Sequence, residues 1–307
     1  MAVFAKSGWR TSSQRQREAL AGVLFVSPWI VSLLVFTAYP VLATFYLSLT
    51  NYNVISSPEW VGFQNYQTML SSDPDFWKSL GNTAYYTLIS VPVGLIAALG
   101  LALVLNMRAR GIGFYRTIFY LPALVPPVAS ALVFMLLFNT DGLANSFLGL
   151  LHIPHQDWFL NPNLSKPVLI VMSLWGVGAA TLIFLAGLQE VPQSLLESAS
   201  LDGANPWQRF RHVILPLLSP IILFNLIMGM ISSFQVFTQA IIIGGTNGEP
   251  LGSSLMLMVL IYRNAFHYFA MGYAEALTVV LFLLILLLTL VIFLSSRLWV
   301  YYEGGRS

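Results

Sequence analysis

The sequence contains no cysteine, few charged residues and very few lysines. Without cysteine, the chain has no disulfide bond and no thiolate for a metal ion. Charged residues make up 8% of the chain, whereas soluble domains carry about 25%. The lysines are Lys6, Lys78 and Lys166, and none lies in a GxxxxGK[ST] loop of the kind that cradles phosphates. The composition therefore argues against a soluble domain and against ATP binding through a Walker A motif, and the net charge of +2 is too small to indicate a nucleic-acid partner.

Long runs of apolar residues make up most of the sequence. Hydrophobic residues make up 57% of the chain, and a helix needs about 20 mainly apolar residues to cross a membrane. Prolines inside the runs, above all between 121 and 127, predict kinks or broken turns. Segments long enough to cross are 20–49, 80–105, 118–138, 168–188, 215–243 and 274–300. The sequence therefore predicts an all-α polytopic membrane protein with six transmembrane helices.

Basic residues predict the orientation of these spans, because cytoplasmic loops carry an excess of lysine and arginine. The loops and terminal segments of one side hold Lys6, Arg10, Arg15, Arg17, Arg108, Arg110, Arg116, Arg209, Arg211, Arg297 and Arg306. The other side holds only Lys78, Lys166 and Arg263. Both termini are therefore predicted to be cytoplasmic. The chain divides into a cytoplasmic N-terminal segment (1–18), a transmembrane domain (19–300) and a cytoplasmic tail (301–307).

One polar stretch, ESASLDGANPWQRFRHVILPLLSP (197–220), stands out between spans four and five. Ser194 and Glu197 have the spacing of a capping box at the start of a short helix. Gly203 suits the left-handed residue that follows a helix C-terminus. Asn205 followed by proline starts a second helix. The loop therefore predicts two short helices, which either lie on the membrane surface or dock a cytoplasmic partner.

The residues of this loop resemble the EAA loop of binding-protein-dependent ABC transporter permeases. That loop has EAA, three residues, glycine, nine residues and I-x-L-P; here Ser198 and Val213 depart mildly from it. The stretches EWVGFQNYQTML, GFYRTIFYLPALVPPVASALVFMLLFN and MGYAEAL are similar to carbohydrate-importer permeases, particularly the maltose-type first permease subunit. The additional N-terminal spans and large periplasmic insertion of the maltose protein are missing from this sequence.

The resemblance implies a permease subunit of an ATP-driven importer in a prokaryotic cell membrane, with no enzymatic activity of its own. Its substrate would be a sugar or oligosaccharide, or a glycerol phosphate, delivered by an extracytoplasmic solute-binding protein. Its partners would be a second permease subunit and two ATP-binding cassette subunits, which bind the ATP, so that this chain needs no cofactor. The loop 189–216 would couple ATP hydrolysis to transport through Ser194, Glu197, Ser198, Ala199, Asp202, Gly203, Leu215 and Pro216.

Polar residues inside a span face the protein interior or a cavity, because lipid cannot satisfy them. On a continuous helix, a set of polar residues in span five would cover about 80° of one face. This set comprises Asn225, Ser232, Gln235 and Gln239. Ser233 flanks it, and Trp175 in span four could stack on a sugar ring; the resemblance implies substrate contacts at or near both positions. The alternative is hydrogen bonding between helices for the polar residues and ordinary packing for Trp175.

Two other classes of function, an ion-coupled transporter and a membrane enzyme, fit the sequence less well. An ion-coupled secondary transporter usually needs buried ionisable residues, and Glu275 is the acid nearest a predicted span. A membrane enzyme would need a catalytic set, but the histidines lie in or near loops. His152 and His155 flank a proline in an external loop, so no metal site is predicted.

Overall fold

A computed structural model describes residues 12–107 and 109–301. Within these ranges the chain is almost entirely helical, and its strands are one short antiparallel pair, β1 (Thr50–Asn51) and β2 (Glu59–Trp60). The segments 1–11 and 302–307 and Arg108 lie outside the described residues. The orientation prediction that uses Lys6, Arg10, Arg108 and Arg306 therefore rests on the sequence at those positions.

The helices of the first half follow from its apolar runs. A π-helical turn (Leu34–Ala38) joins the first two helices without a gap, and a 3₁₀ turn (Leu121–Leu124) follows the fifth. In chain order they are α1 (Ser12–Leu33), α2 (Tyr39–Leu47), α3 (Gln64–Ser71), α4 (Pro74–Leu105), α5 (Ile112–Tyr120), α6 (Pro127–Leu137) and α7 (Leu143–Leu150).

The second half contains the polar stretch and the two last spans. Its π-helical turns are Phe210–Ile214 and Arg263–His267. Its α-helices are α8 (Ser165–Trp175), α9 (Gly178–Glu190), α10 (Gln193–Leu201), α11 (Pro206–Arg209), α12 (Leu215–Phe234), α13 (Thr238–Gly244), α14 (Leu257–Tyr262) and α15 (Met271–Trp299).

Four helical stretches are long and apolar enough to cross a membrane within the described residues. They are Leu20–Leu47, Pro74–Leu105, Pro206–Gly244 and Met271–Trp299. Two further pairs qualify when each is counted as one bent span: α5–α6, bent by 99°, and α8–α9, bent by 48°. The broken turn predicted at the prolines of the third span is confirmed.

Each bent pair is counted here as one span, and the halves of one pair run beside the halves of the other. α5 packs against α9, and α6 packs against α8. The two breaks meet at Gly178, where an added Cβ would lie 2.5 Å from the carbonyl oxygen of Phe119. Only glycine permits this approach. Six spans result, so both ends of the described chain lie on one side of the bundle, here called the termini side.

Helix α4 is the centre of the bundle, and it packs against α8, α9, α12 and α14. Two apolar clusters lie along it. One contains Phe76 near the opposite side, and the other contains Leu105 with Phe184 and Leu218 near the termini side. The core is thus divided into two levels.

A polar clamp closes the bundle on the side opposite to the termini. The amide of Asn82 donates to the carbonyl oxygens of Gly252 (2.9 Å) and Leu255 (3.0 Å), so α4 holds the segment between α13 and α14. Arg263 is only 7% exposed and forms an ion pair with Asp75 at 2.5 Å. The clamp explains how a basic residue is accommodated at the end of an apolar bundle: its charge is paired.

Candidate functional site

A cavity of about 670 Å³ lies between α4, the bend of α8–α9, and α12–α13. Its lining residues on α4, which run from Tyr86 to Leu95, stand between the two apolar clusters of the core. The polar lining is provided by Tyr86, Ser90, Ser173, Asn225, Ser232, Ser233, Gln235, Thr238 and Gln239. None of the described lining residues carries a charge. The cavity therefore offers neutral donors and acceptors inside a membrane protein.

The sequence-predicted polar residues of span five reach this cavity, but not by the predicted geometry. The span is not one continuous helix: α12 ends at Phe234, Gln235 caps it, and α13 begins at Thr238. The proposed 80° face of a single helix is therefore wrong. Non-helical backbone at membrane depth is tolerated where it lines a cavity, and this break brings Gln235 and Gln239 to the lining.

The polar side chains of the cavity differ in how far they are already hydrogen-bonded. Asn225 is buried and donates its amide to the carbonyl oxygen of Ile221 at 2.9 Å. Ser233 is buried and donates to the carbonyl oxygen of Met230 at 3.0 Å. Within the described ranges, the side chains of Gln235 and Gln239 form no hydrogen bond. The two glutamines, which like Ser232 and Thr238 have no side-chain hydrogen-bond partner in this part of the chain, are thus available to bind a polar solute.

Trp175 does not line the cavity, contrary to the sequence prediction. It is the last residue of α8, and its ring packs edge-on against Phe134 with the centroids 5.8 Å apart. Its neighbours Ser173 and Gly176 do line the cavity. Trp175 lies immediately before the bend, and 47% of the residue is exposed.

Sequence reasoning missed the contribution of α4. Tyr86 and Ser90 are buried polar residues one helical turn apart, and both line the cavity. Polar residues four apart within an apolar span are the same signal that identified span five. That signal was present in the second span and could have been used.

The polar stretch forms the two predicted short helices, α10 and α11. Gly203 has φ of +80°, as predicted for a residue that ends a helix. Its N–H donates to the carbonyl oxygen of Ser200 (3.1 Å), and the N–H of Ala204 donates to that of Ala199 (2.9 Å). This pair of bonds is a Schellman motif, which satisfies the last carbonyl groups of α10.

The capping box predicted from Ser194 and Glu197 does not form. Pro192 precedes the helix, and α10 begins at Gln193 with no side-chain cap. Ser194 therefore lies inside the first turn, and Glu197 lies in the second turn, exposed on the surface. The proline fixes the helix start two residues earlier than the serine would.

A capping box does form at the second helix. The side chain of Asn205 accepts from the N–H of Gln208 (2.9 Å), whose side chain in turn accepts from the N–H of Asn205 (2.8 Å). The guanidinium of Arg209 donates to the hydroxyl of Ser200 at 2.8 Å, which ties α11 to α10. These contacts fix the angle between the two helices and leave an open groove of about 370 Å³ beside Asp202 and Gly203.

The second helix continues into the membrane without interruption. The π-helical turn Phe210–Ile214 connects α11 to α12, whose first residues are Leu215 and Pro216. Pro216 has no N–H to donate to the preceding turn, and the π-helical turn, in which the N–H of Leu215 donates to the carbonyl oxygen of Phe210, accommodates this proline within the continuous helix. Glu197 and Ser198 are exposed on α10, which the Arg209–Ser200 bond joins to the helix that continues into span five. These residues and the groove therefore lie at the end of span five on the termini side.

A bundle of six spans with a neutral internal cavity and a rigid helical loop defines a membrane permease. Residues 90–301 match the family described as binding-protein-dependent transport system inner membrane component. The chain belongs to this family. The resemblance seen in the EAA-type loop is confirmed, and so is the all-α polytopic fold of an ABC importer permease.

The similarity extends over nearly the whole chain. It is 42% identical over 297 residues to the probable ABC transporter permease protein YesP of Bacillus subtilis (strain 168), covering 96% of each chain. It is 34% identical over 284 residues to the trehalose/maltose transport system permease protein MalF of Thermococcus litoralis, covering 92% of this chain and 95% of the relative. Its fold is similar to a chain in the crystal structure of a bacterial ABC transporter involved in the import of alginate, with a TM-score of 0.79, 23% identity, and coverage of 92% of this chain and 96% of the other. The ion-coupled secondary transporter is therefore set aside.

Proposed function

We propose that this chain moves a carbohydrate across the membrane as one of two permease subunits, with a solute-binding protein on one side and two ATPase subunits on the other. The cavity is the observation that carries this proposal. A carbohydrate needs many neutral hydrogen-bonding partners, and the unpaired side chains of Gln235 and Gln239 beside an unwound backbone provide them. The relatives include the arabinooligosaccharides transport system permease protein AraP and the lactose transport system permease protein LacF, and their names support the same class of solute.

The proposed substrate residues are those that the cavity brings together: Asn225, Ser232, Ser233, Gln235 and Gln239, with Tyr86 and Ser90 added from α4. Trp175 is left out, because it is not one of the residues that line this cavity. ATP would be bound by the partner subunits.

The proposed coupling element is the segment 189–216. It presents Glu197 and Ser198 on the exposed surface of α10, and its Schellman turn and capping box make it a rigid unit. ATPase subunits that move this unit would move span five with it. An interfacial helix pair without a partner would not require such a rigid connection.

The proposed orientation places the termini side in the cytoplasm. The chain has no cysteine, so single cysteines introduced at exposed positions report without background. Cysteines at Arg110 and Ser198 should be shielded from an impermeant thiol reagent added to intact cells, whereas those at Ser72 and Asn247 should react. Labelling at position 198 from outside would contradict both the orientation and the coupling role.

The complete proposal is tested on the transporter purified from its own membrane through a tag on this chain. We expect a second permease and an ATPase subunit to co-purify, with mass spectrometry as the readout. After reconstitution, ATP hydrolysis should rise when binding protein loaded with a neutral oligosaccharide is added, but not with unloaded binding protein. Recovery of the chain without an ATPase subunit would refute the proposed assembly. Equal stimulation by loaded and unloaded binding protein would refute a carbohydrate as the transported solute.

A further inference from the structure

Helix α7 exposes an apolar face and buries a polar residue, which is the reverse of the pattern of a helix at a water-exposed surface. Leu143, Phe147 and Leu150 recur at helical spacing on one face, and they are 70%, 62% and 77% exposed. The residue of α7 that is fully buried is polar Asn145, which lies on the other face. No charged residue occurs between 143 and 150.

Asn145 fixes this orientation. Its amide donates to the carbonyl oxygens of Thr140 (3.0 Å) and Gln156 (2.9 Å). Its carbonyl oxygen accepts from the N–H of Gln156 and from the indole N–H of Trp158, both at 3.0 Å. Because these bonds satisfy the buried face, α7 cannot turn its apolar face inwards without losing them.

The position of α7 in the fold says what the apolar face meets. The helix follows closely after the end of α6, the half of the broken third span that faces away from the termini side. Trp158 packs edge-on against Phe138 at 5.2 Å and holds the whole loop against that end. Leu132 and Leu136 are exposed on α6, so the half-span that α7 follows also presents apolar side chains on its surface.

We propose that the apolar face of α7 lies in the lipid leaflet on the side opposite to the termini, as an interfacial helix that anchors the broken third span. A face made of leucine and phenylalanine is typical of helices that lie in the membrane interface. The face carries no charge, and it lies just beyond the end of a membrane span, where the surface of the bilayer is reached. These two observations favour lipid as the occupant, and coverage by a second protein is the outcome that would refute the proposal.

Site-directed spin labelling in the assembled transporter tests this proposal. Nitroxides are attached to single cysteines at Phe147 and Leu150 in liposomes, and their collision rates with oxygen and with a water-soluble nickel complex are compared. A label at exposed Asn163 serves as the aqueous reference. A label at Leu287, exposed in the middle of α15, serves as the hydrocarbon reference.

We expect the labels at 147 and 150 to collide with oxygen more than with nickel, as at 287, whereas the label at 163 shows the reverse. Two outcomes would overturn the proposal. Nickel access equal to that at 163 would mean that the face lies in water. Exclusion of both reagents, with or without added binding protein, would mean that another protein covers it.

Discussion

Replacing Gly203 with valine tests whether the geometry of the coupling loop matters. Gly203 has φ of +80°, a conformation that costs a non-glycine residue roughly 1–3 kcal/mol, with β-branched residues suiting it least. No atom lies within 4 Å of the Cβ that would be added. The whole cost therefore comes from the backbone, and the Schellman turn after α10 must distort to relieve it.

A cost of this size reduces the population of the native turn by about 5-fold to 150-fold. If the ATPase subunits bind that turn, their apparent affinity falls by the same factor. The assay measures the dissociation constant of the ATPase subunits from the permease pair in nanodiscs, and the stimulation of ATP hydrolysis by loaded binding protein. We expect weaker binding and lost stimulation in Gly203→Val, with normal insertion into the membrane, because no span is touched.

Gly111 provides a matched control. It lies in the other loop of the termini side with φ of +76°, and nothing is within 4 Å of its missing Cβ. Gly111→Val therefore carries the same strain in a loop that lacks the helix pair, and it should bind ATPase subunits normally. Gly203→Asn should also be mild, because asparagine tolerates the left-handed region. Wild-type affinity in Gly203→Val, or equal losses in both valine variants, would refute the coupling role.

Three further predictions concern packing, solute binding and docking. Gly178→Ala places a Cβ 2.5 Å from the carbonyl oxygen of Phe119 and should lower stability by about 1–3 kcal/mol, seen as a lower thermal midpoint, whereas Gly81→Ala has open space and should not. Gln235→Met should raise the half-saturating solute concentration several-fold, as expected for the loss of one hydrogen bond worth about 1 kcal/mol. Trp175→Phe should leave that concentration unchanged. A rise in Trp175→Phe but not in Gln235→Met would return Trp175 to the site. Glu197→Lys should change stability by less than about 0.5 kcal/mol, because the side chain is exposed and caps nothing, yet it should weaken ATPase binding, and unchanged binding would contradict docking at that surface.

The spans were predictable because each depends on one local property, the length of an apolar run. The run from 80 to 105 is helical in any environment that lacks water, since only intrahelical bonds satisfy its backbone. The cap at Asn205 and the turn at Gly203 were predictable for a similar reason, because side-chain and backbone chemistry within four residues determines them. Local chemistry also gave one wrong prediction, because α10 begins directly after Pro192 and not after Ser194.

The cavity was only partly predictable, because its shape depends on contacts between distant segments. The break after Phe234 has no proline or glycine to mark it. It is held by tertiary packing, since Phe234 and Val236 are buried in the same apolar cluster as Leu169. Trp175 is outside the cavity lining for the same kind of reason: its position depends on the bend after α8, where α9 approaches the third span at Gly178.

The capped loop and the cavity are two ends of one helical element, and this connection would let the proposed coupling loop and the proposed solute site act together. The continuous helix from Pro206 to Phe234 spans about 40 Å at 1.5 Å per residue. It begins at a capping box, the bond from Arg209 to Ser200 ties it to α10, and it ends at the break where Gln235 enters the cavity. Along its length this helix packs against α4, α9 and α15. A movement of the loop must therefore either slide the helix past these neighbours or change the backbone geometry at the break. At the break, the N–H groups of Gln235 and Val236 donate only to carbonyl oxygens three residues earlier, so this is a point at which a movement imposed on the loop would change the shape of the cavity.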